Sequence, residues 1–245
     1  MTVTMPRQFH RLAPAAARMG RTVCALGLVG VIASGCVAEP HREVNEVEVS
    51  PVQVMVDSSD QEQVIMGELY SRALASRGRQ TFVDFEYDLG TAERIQAVET
   101  NHADVVVVCI GTALEALNPA RAEELSAEYT AKIDSGEITP TDIDFSETVL
   151  DSLLGSLPRN VHNSNFSPTH GCAESEELAL PQNIIALYQR PLLNRKEWDK
   201  LNVVNGAISE ASLKEIAEEL KNGEDQDEVY TTFLSSNRVL SSGAD

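Results

Sequence analysis

The side chains able to do chemistry are few and scattered. Downstream of Cys36 the histidines are His41, His102, His162 and His170. His162 and His170 share one stretch with Asn163, Asn165 and Ser167, from which a Ser-His-acid or His-metal site could be drawn. Either would need its groups brought within hydrogen-bond or metal-ligand reach, roughly 2–3.2 Å. No HExxH spacing, no CxxC pair and no glycine-rich phosphate cradle supports such a convergence. His102 follows Asn101 at a predicted helix end, where an imidazole is favoured by the helix dipole. The residue pattern argues against an enzyme, a metal centre or a bound cofactor, and leaves binding as the chemistry to look for.

Three short segments suit that role. Asp57 to Gln63, Tyr87 to Thr91 and Cys109 to Thr112 each follow a predicted strand and precede a helix. In a parallel sheet, ligands bind outside the carboxyl ends of the strands, where helix N-termini offer backbone N–H groups. Hydroxyls, amides and carboxylates there would form a polar clamp. The same Ser, Thr and Asp residues also fit a second reading, as plain helix caps. Among the tyrosines, Tyr87 ends a strand beside this cleft, while Tyr70 falls on the core side of a helix. Tyr129 and Tyr188 lie on a later helix and after a later strand.

The elements that position these segments follow from spacing. Val52 to Val56 is a β-rich run closed by the turn residues Asp57 to Asp60. Ser59 or Asp60 caps a helix over about 61–76, with Glu62 or Gln63 completing a capping box. It carries Val64, Ile65, Leu69, Ala73 and Leu74 on one side, and Gly78 stops it. Thr81 to Tyr87 alternates as a strand, Ala92 to Asn101 forms a helix, and Asp104 to Ile110 is a continuous apolar strand. This βαβαβ order predicts an α/β fold with parallel strands covered on both faces. Helices are expected over 119–135 and 145–154, then a long loop over 155–173. A return strand at Gln182 to Tyr188 and helices over 209–221 and 227–234 close the chain, with Trp198 in a charged helix between them.

The chain of 245 residues has 19 Lys+Arg against 38 Asp+Glu, a formal charge of −19. Setting aside Arg7, Arg11, Arg18 and Arg21, the only charged residues before Cys36, leaves 15 basic against 38 acidic side chains, a net −23. Such a body repels phosphate backbones, so nucleic acid is excluded as a partner. After Arg21 comes an apolar run, Thr22 to Ala33, too short to span a bilayer comfortably and flanked like a signal peptide. Ala33-Ser34-Gly35-Cys36 resembles the bacterial lipobox, whose Cys is diacylated and becomes the new N-terminus. An ordinary signal peptide or an uncleaved anchor fits the same run. Two acyl chains on Cys36 give stable attachment to a membrane. Cys24 leaves with the leader, so Cys109 and Cys172 remain, most simply as a disulfide in an exported protein.

Residues Val54 to Leu117, with Gln61 to Tyr70, Leu89 to Arg94 and Ile110 to Leu114, resemble the first lobe of glycine betaine/choline-type substrate-binding proteins of osmoprotectant ABC importers. Ile184 to Leu234 is similar to that family's closing segment, and the two stretches cover about half the chain. The resemblance implies a type II periplasmic-binding-protein-like fold closing by a hinge. It divides the chain into a leader (1–35), a tether (36–50), a first lobe (51–115 and 184–245) and a short second lobe (116–183). It implies Gln63 and Thr91 as ligand contacts, with Thr112 as a neighbour, and Tyr87 is the best candidate for rebuilding an aromatic wall. The family's cage tyrosine, which holds a quaternary ammonium by cation–π attraction, is replaced here by Cys109. The implied function is a lipid-anchored, extracytoplasmic receptor that hands a quaternary amine or related small solute to an ABC permease. The alternative is an envelope lipoprotein of the same descent that has lost solute capture and works by protein contact.

Overall fold

A computed structural model describes residues 50–172 and 178–241. The leader, the tether through residue 49 and the lipidation candidate Cys36 lie outside the described residues. The order is β1 (Val52–Asp57), α1 (Gln61–Ala75), β2 (Thr81–Glu86), α2 (Thr91–Glu99), β3 (Val105–Cys109), α3 (Ile110–Leu117), α4 (Pro119–Ser135) and α5 (Ile143–Leu154). There follow β4 (Val161–Asn163), β5 (Ile184–Gln189), α6 (Arg195–Ala207), α7 (Glu210–Lys221) and α8 (Gln226–Ser236).

The expected βαβαβ unit is present. β1 pairs in parallel with β2 on one side and with β3 on the other. The return strand β5 lies antiparallel to β3, and β4 closes the far edge antiparallel to β5, giving the order β2-β1-β3-β5-β4. The fold is therefore α/β with a mixed five-stranded sheet. Because β2 and β3 flank β1 on opposite sides, the strand order reverses at β1. That reversal opens a crevice between the loops leaving β1 and β3.

Two apolar cores, one on each face, hold the sheet. Val105, Val107 and Cys109 of β3 point into one core with Val54 and Val56 of β1, Leu69 of α1, Leu201 of α6 and Leu213 of α7. Val106 and Val108 point into the other, with Ile95 of α2, Leu114 of α3, Leu125 of α4 and Val149 of α5. This is why β3 reads as an unbroken apolar run: both alternating faces are covered. β2 differs. It is an edge strand, and Phe82 and Phe85 remain 50% and 45% exposed.

Residues 116–183 contribute α4, α5 and β4, which cover one face and one edge of the same sheet. Asn118 caps α4 with Pro119 in its first turn, and Gly136, at φ 71°, ends it in the left-handed region. Three local expectations are adjusted. Gly111 and Thr112 belong to the helix α3, which starts directly at the end of β3. The long loop contains the short strand β4. The return strand begins at Ile184, because Gln182 turns its side chain to Thr112. No described helix is long and apolar enough to cross a membrane.

Candidate functional site

The crevice predicted by the strand order is a cleft of about 570 Å³. Gln63, Thr91 and Thr112 all line it, as the sequence reading placed them, together with Asp57, Asp60, Arg94, Tyr129, His170 and Cys172. Asp57, Asp60, Gln63, Thr91, Arg94 and Thr112 come from the end of a strand or the start of a helix, so the fold's topology brings them together; Tyr129 reaches the cleft from the middle of α4, and His170 and Cys172 from the segment before β5.

Asp60 caps α1 by accepting the Gln63 backbone N–H at 3.0 Å, and its second oxygen accepts from the Gln63 side chain at 3.2 Å. The capping explanation holds for this residue. It does not hold for the two threonines, because α2 and α3 begin at Gly90 and Cys109, neither with a side-chain cap. Thr91 and Thr112 sit inside the first turns. The backbone N–H and hydroxyl of Thr112 donate to Gln182 Oε1 at 3.1 and 2.9 Å. That wall is tightly packed: a Cβ on Gly111 would lie 2.7 Å from Gln182 Nε2 and 2.8 Å from the Pro181 carbonyl oxygen. Glycine is required here by close approach rather than by a special φ.

Arg94 is the group that sequence reading passed over. It is 1% exposed, and its guanidinium ties the cleft floor together. Nη1 donates to Gln63 Oε1 at 2.8 Å and to the Val107 carbonyl at 3.2 Å. Nη2 reaches Thr91 Oγ1 at 3.4 Å and lies 3.5 Å from Asp57 Oδ2. Nε has no hydrogen-bond partner. Burial lowers the Arg94 pKa, opposed by the charges of Asp57, Asp60 and Glu86. A signal existed in the sequence: Arg94 falls at the i+3 position from Thr91, which places both on one side of α2.

Burial also acts on Asp60, raising its pKa to about 6 from 3.8 against the lowering effect of the Gln63 hydrogen bonds; Glu62 adds to the rise. The cleft thus carries Asp57, Asp60 and Glu62 against Arg94, with one phenol ring, Tyr129, and one imidazole, His170, among its described lining residues. The Tyr129 hydroxyl donates to the Pro140 carbonyl, and its ring packs against Phe145.

Cys109 and Cys172 form the disulfide expected from the cysteine count, with Cα atoms 6.1 Å apart. It fastens the cleft-lining segment His170 to Cys172 to the end of β3, and Gln63 Nε2 approaches Cys172 Sγ at 3.1 Å. Gly171 packs as closely as Gly111, since a Cβ there would overlap Ile184.

Tyr87 is not brought to the cleft; it follows the end of β2 and is 79% exposed. Tyr70 is buried, with its hydroxyl donating to Asn205, and Tyr188 lines a different cavity. Neither His162 nor His170 has a ring nitrogen hydrogen-bonded to a carboxylate or hydroxyl among the described residues. No group of three or more potential His, Cys, Asp or Glu metal ligands occurs among them. Compared with known proteins, the chain matches no family model and no curated sequence.

Proposed function

We propose that the protein is a solute-binding receptor of the cell envelope, anchored through Cys36, that captures a small ammonium compound and delivers it to the permease of an ABC importer. The single observation that carries this reading is the cleft at the strand-order reversal, where Gln63, Thr91 and Thr112 converge. Its balance of groups supports a quaternary amine or zwitterion. Asp57, Asp60 and Glu62 offer negative charge to an ammonium head, and the uncapped start of α2, at Thr91, offers N–H dipoles to a carboxylate. Carboxylates take over the cation-holding role that aromatic rings play in the family it resembles. A type II binding-protein fold, with residues 116–183 as the second lobe, belongs to the same proposal.

The test is a thermal-shift panel of glycine betaine, choline, carnitine, proline betaine and free amino acids. A ligand at about 100 times its Kd adds about 2.7 kcal/mol, a rise of several degrees in Tm. A stabilising ligand whose effect is lost in Gln63→Ala supports the receptor. A flat panel on folded protein rejects it.

A second reading, an envelope lipoprotein acting by protein contact, is favoured by one observation. The edge strand β2 leaves Phe82, Phe85 and Tyr87 in solvent beside a row of backbone groups open to pairing. Loss of partner binding on Phe85→Lys would support it.

A further inference from the structure

A second cavity, of about 520 Å³, has the opposite chemistry to the cleft. It opens at the other end of the sheet: Tyr188 pairs with Val105 at the start of β3, whereas the cleft lies at Cys109, where β3 ends. Its walls include His162, Tyr188, Arg190, Arg195 and Trp198, and its described lining contains no aspartate or glutamate. In a chain with 38 acidic against 19 basic residues, two arginines facing one cavity without a carboxylate is a marked local reversal of charge.

Both guanidinium groups are uncommitted. Arg190 and Arg195 are exposed, and neither side chain makes a hydrogen bond or ion pair among the described residues. Two acids lie near Arg195 on α6: Asp199, at i+4 and exposed, forms no ion pair with it among the described residues, and Glu197 is occupied elsewhere. One of its oxygens lies 3.5 Å from Arg79 Nε, and the other accepts the Asn194 backbone N–H at 2.9 Å. The positive field reaches the cavity wall, since burial and the charge of Arg190 both lower the pKa of His162. The aromatic side chains are held in place. Trp198 Nε1 donates to the Asn163 carbonyl at 3.1 Å, fixing the indole, and the His162 and Tyr188 rings lie with centroids 6.4 Å apart. Unpaired guanidiniums beside fixed ring faces are the means by which proteins hold a planar oxyanion: the fork binds two oxygens, and the rings cover the apolar body.

We propose that this cavity is a binding site for a small aryl oxyanion, a carboxylate or phosphate carried on an aromatic ring. Arg190 and Arg195 hold the charged group, and Trp198 and Tyr188 cover the ring.

The chain has a single tryptophan, and it is Trp198, so its fluorescence reports on this cavity alone. The full-length protein is titrated with benzoate and with phenyl phosphate, and with benzyl alcohol and benzylamine as neutral and cationic controls. A saturable change is expected with one or both anions, at concentrations at least tenfold below either control. The anion with the lower half-saturation identifies which oxyanion the site takes. The paired substitutions Arg190→Gln and Arg195→Gln should raise half-saturation at least tenfold, while Gln63→Ala in the distant cleft leaves it unchanged. A linear response, equal responses to anions and benzyl alcohol, or indifference to the arginine substitutions would each overturn the proposal. So would silence in both emission and calorimetry.

Discussion

At the carboxyl ends of the parallel strands, the cleft's arginine is bonded into its floor: Arg94 is tied to Gln63, Thr91 and Asp57, and Asp60 to Gln63. At the opposite end, Arg190 and Arg195 stand in a cavity with no partner among the described residues. The same side-chain type therefore does two jobs. Buried and bonded, an arginine fixes the positions of its neighbours, and removing it leaves their polar atoms stranded. Exposed and unpaired, it contributes little to folding and remains available to a ligand. Stability measurements should separate the two ends cleanly.

The largest effect concerns the tie that holds the cleft wall. Reducing Cys109–Cys172 frees a loop spanning 63 residues, worth about 4 kcal/mol in the chain-entropy account. Urea unfolding with and without reductant should show that loss, and mass mapping without reductant should find no free thiol at either position. Next comes Arg94→Ala, expected to cost about 3 kcal/mol because Gln63, Thr91 and Asp57 lose a shared partner. A cost below ~1 kcal/mol would mean that water replaces the guanidinium and that the floor is not built around it.

Asp60 gives a smaller, pH-dependent effect. Its pKa in the fold, about 6, lies above its ordinary 3.8, so the folded protein holds more proton than the unfolded chain between those values. Stability therefore falls as pH rises through that window and is level above it. Asp60→Asn keeps the cap and removes the ionisation. After allowance for solvent, it should add about 1 kcal/mol at pH 7 and nothing at pH 4. A variant with an unchanged pH profile would place the titration elsewhere. Smallest of all, Arg190→Gln and Arg195→Gln should each move stability by less than ~0.5 kcal/mol. A larger loss would show that this end of the molecule has a structural role after all.

Much of the frame was legible because its signals are local. Asp60 as a cap, the unbroken valines of β3 and the helix over 119–135 are read from neighbours along the chain. The cleft followed from one step of topology, and Gln63, Thr91 and Thr112 met there. What the sequence hid depends on distance. Arg94 looks like one more polar residue on a surface helix until β3 lies beneath it and accepts its hydrogen bond through Val107. Tyr87 looked like a cleft residue because it ends a strand, but an edge strand has only one neighbour, and its last side chain turns outward. The second cavity joins residues from β4, β5 and α6, separated by up to 36 positions from His162 to Trp198. No spacing rule connects them.

The exposed rim at β2 has a consequence for how copies of this chain behave when crowded. A strand with an unpaired edge and aromatic side chains in solvent is a template for another strand, the first step toward fibrils. Here Asp84 and Glu86 lie in the same short strand as Phe82 and Phe85, so a second copy would have to bring like charges together to dock. With −19 on every molecule, repulsion extends over roughly 8 Å at physiological ionic strength. Repulsion of that range opposes the approach of one β2 edge to another and so works against polymerisation along the strand edges.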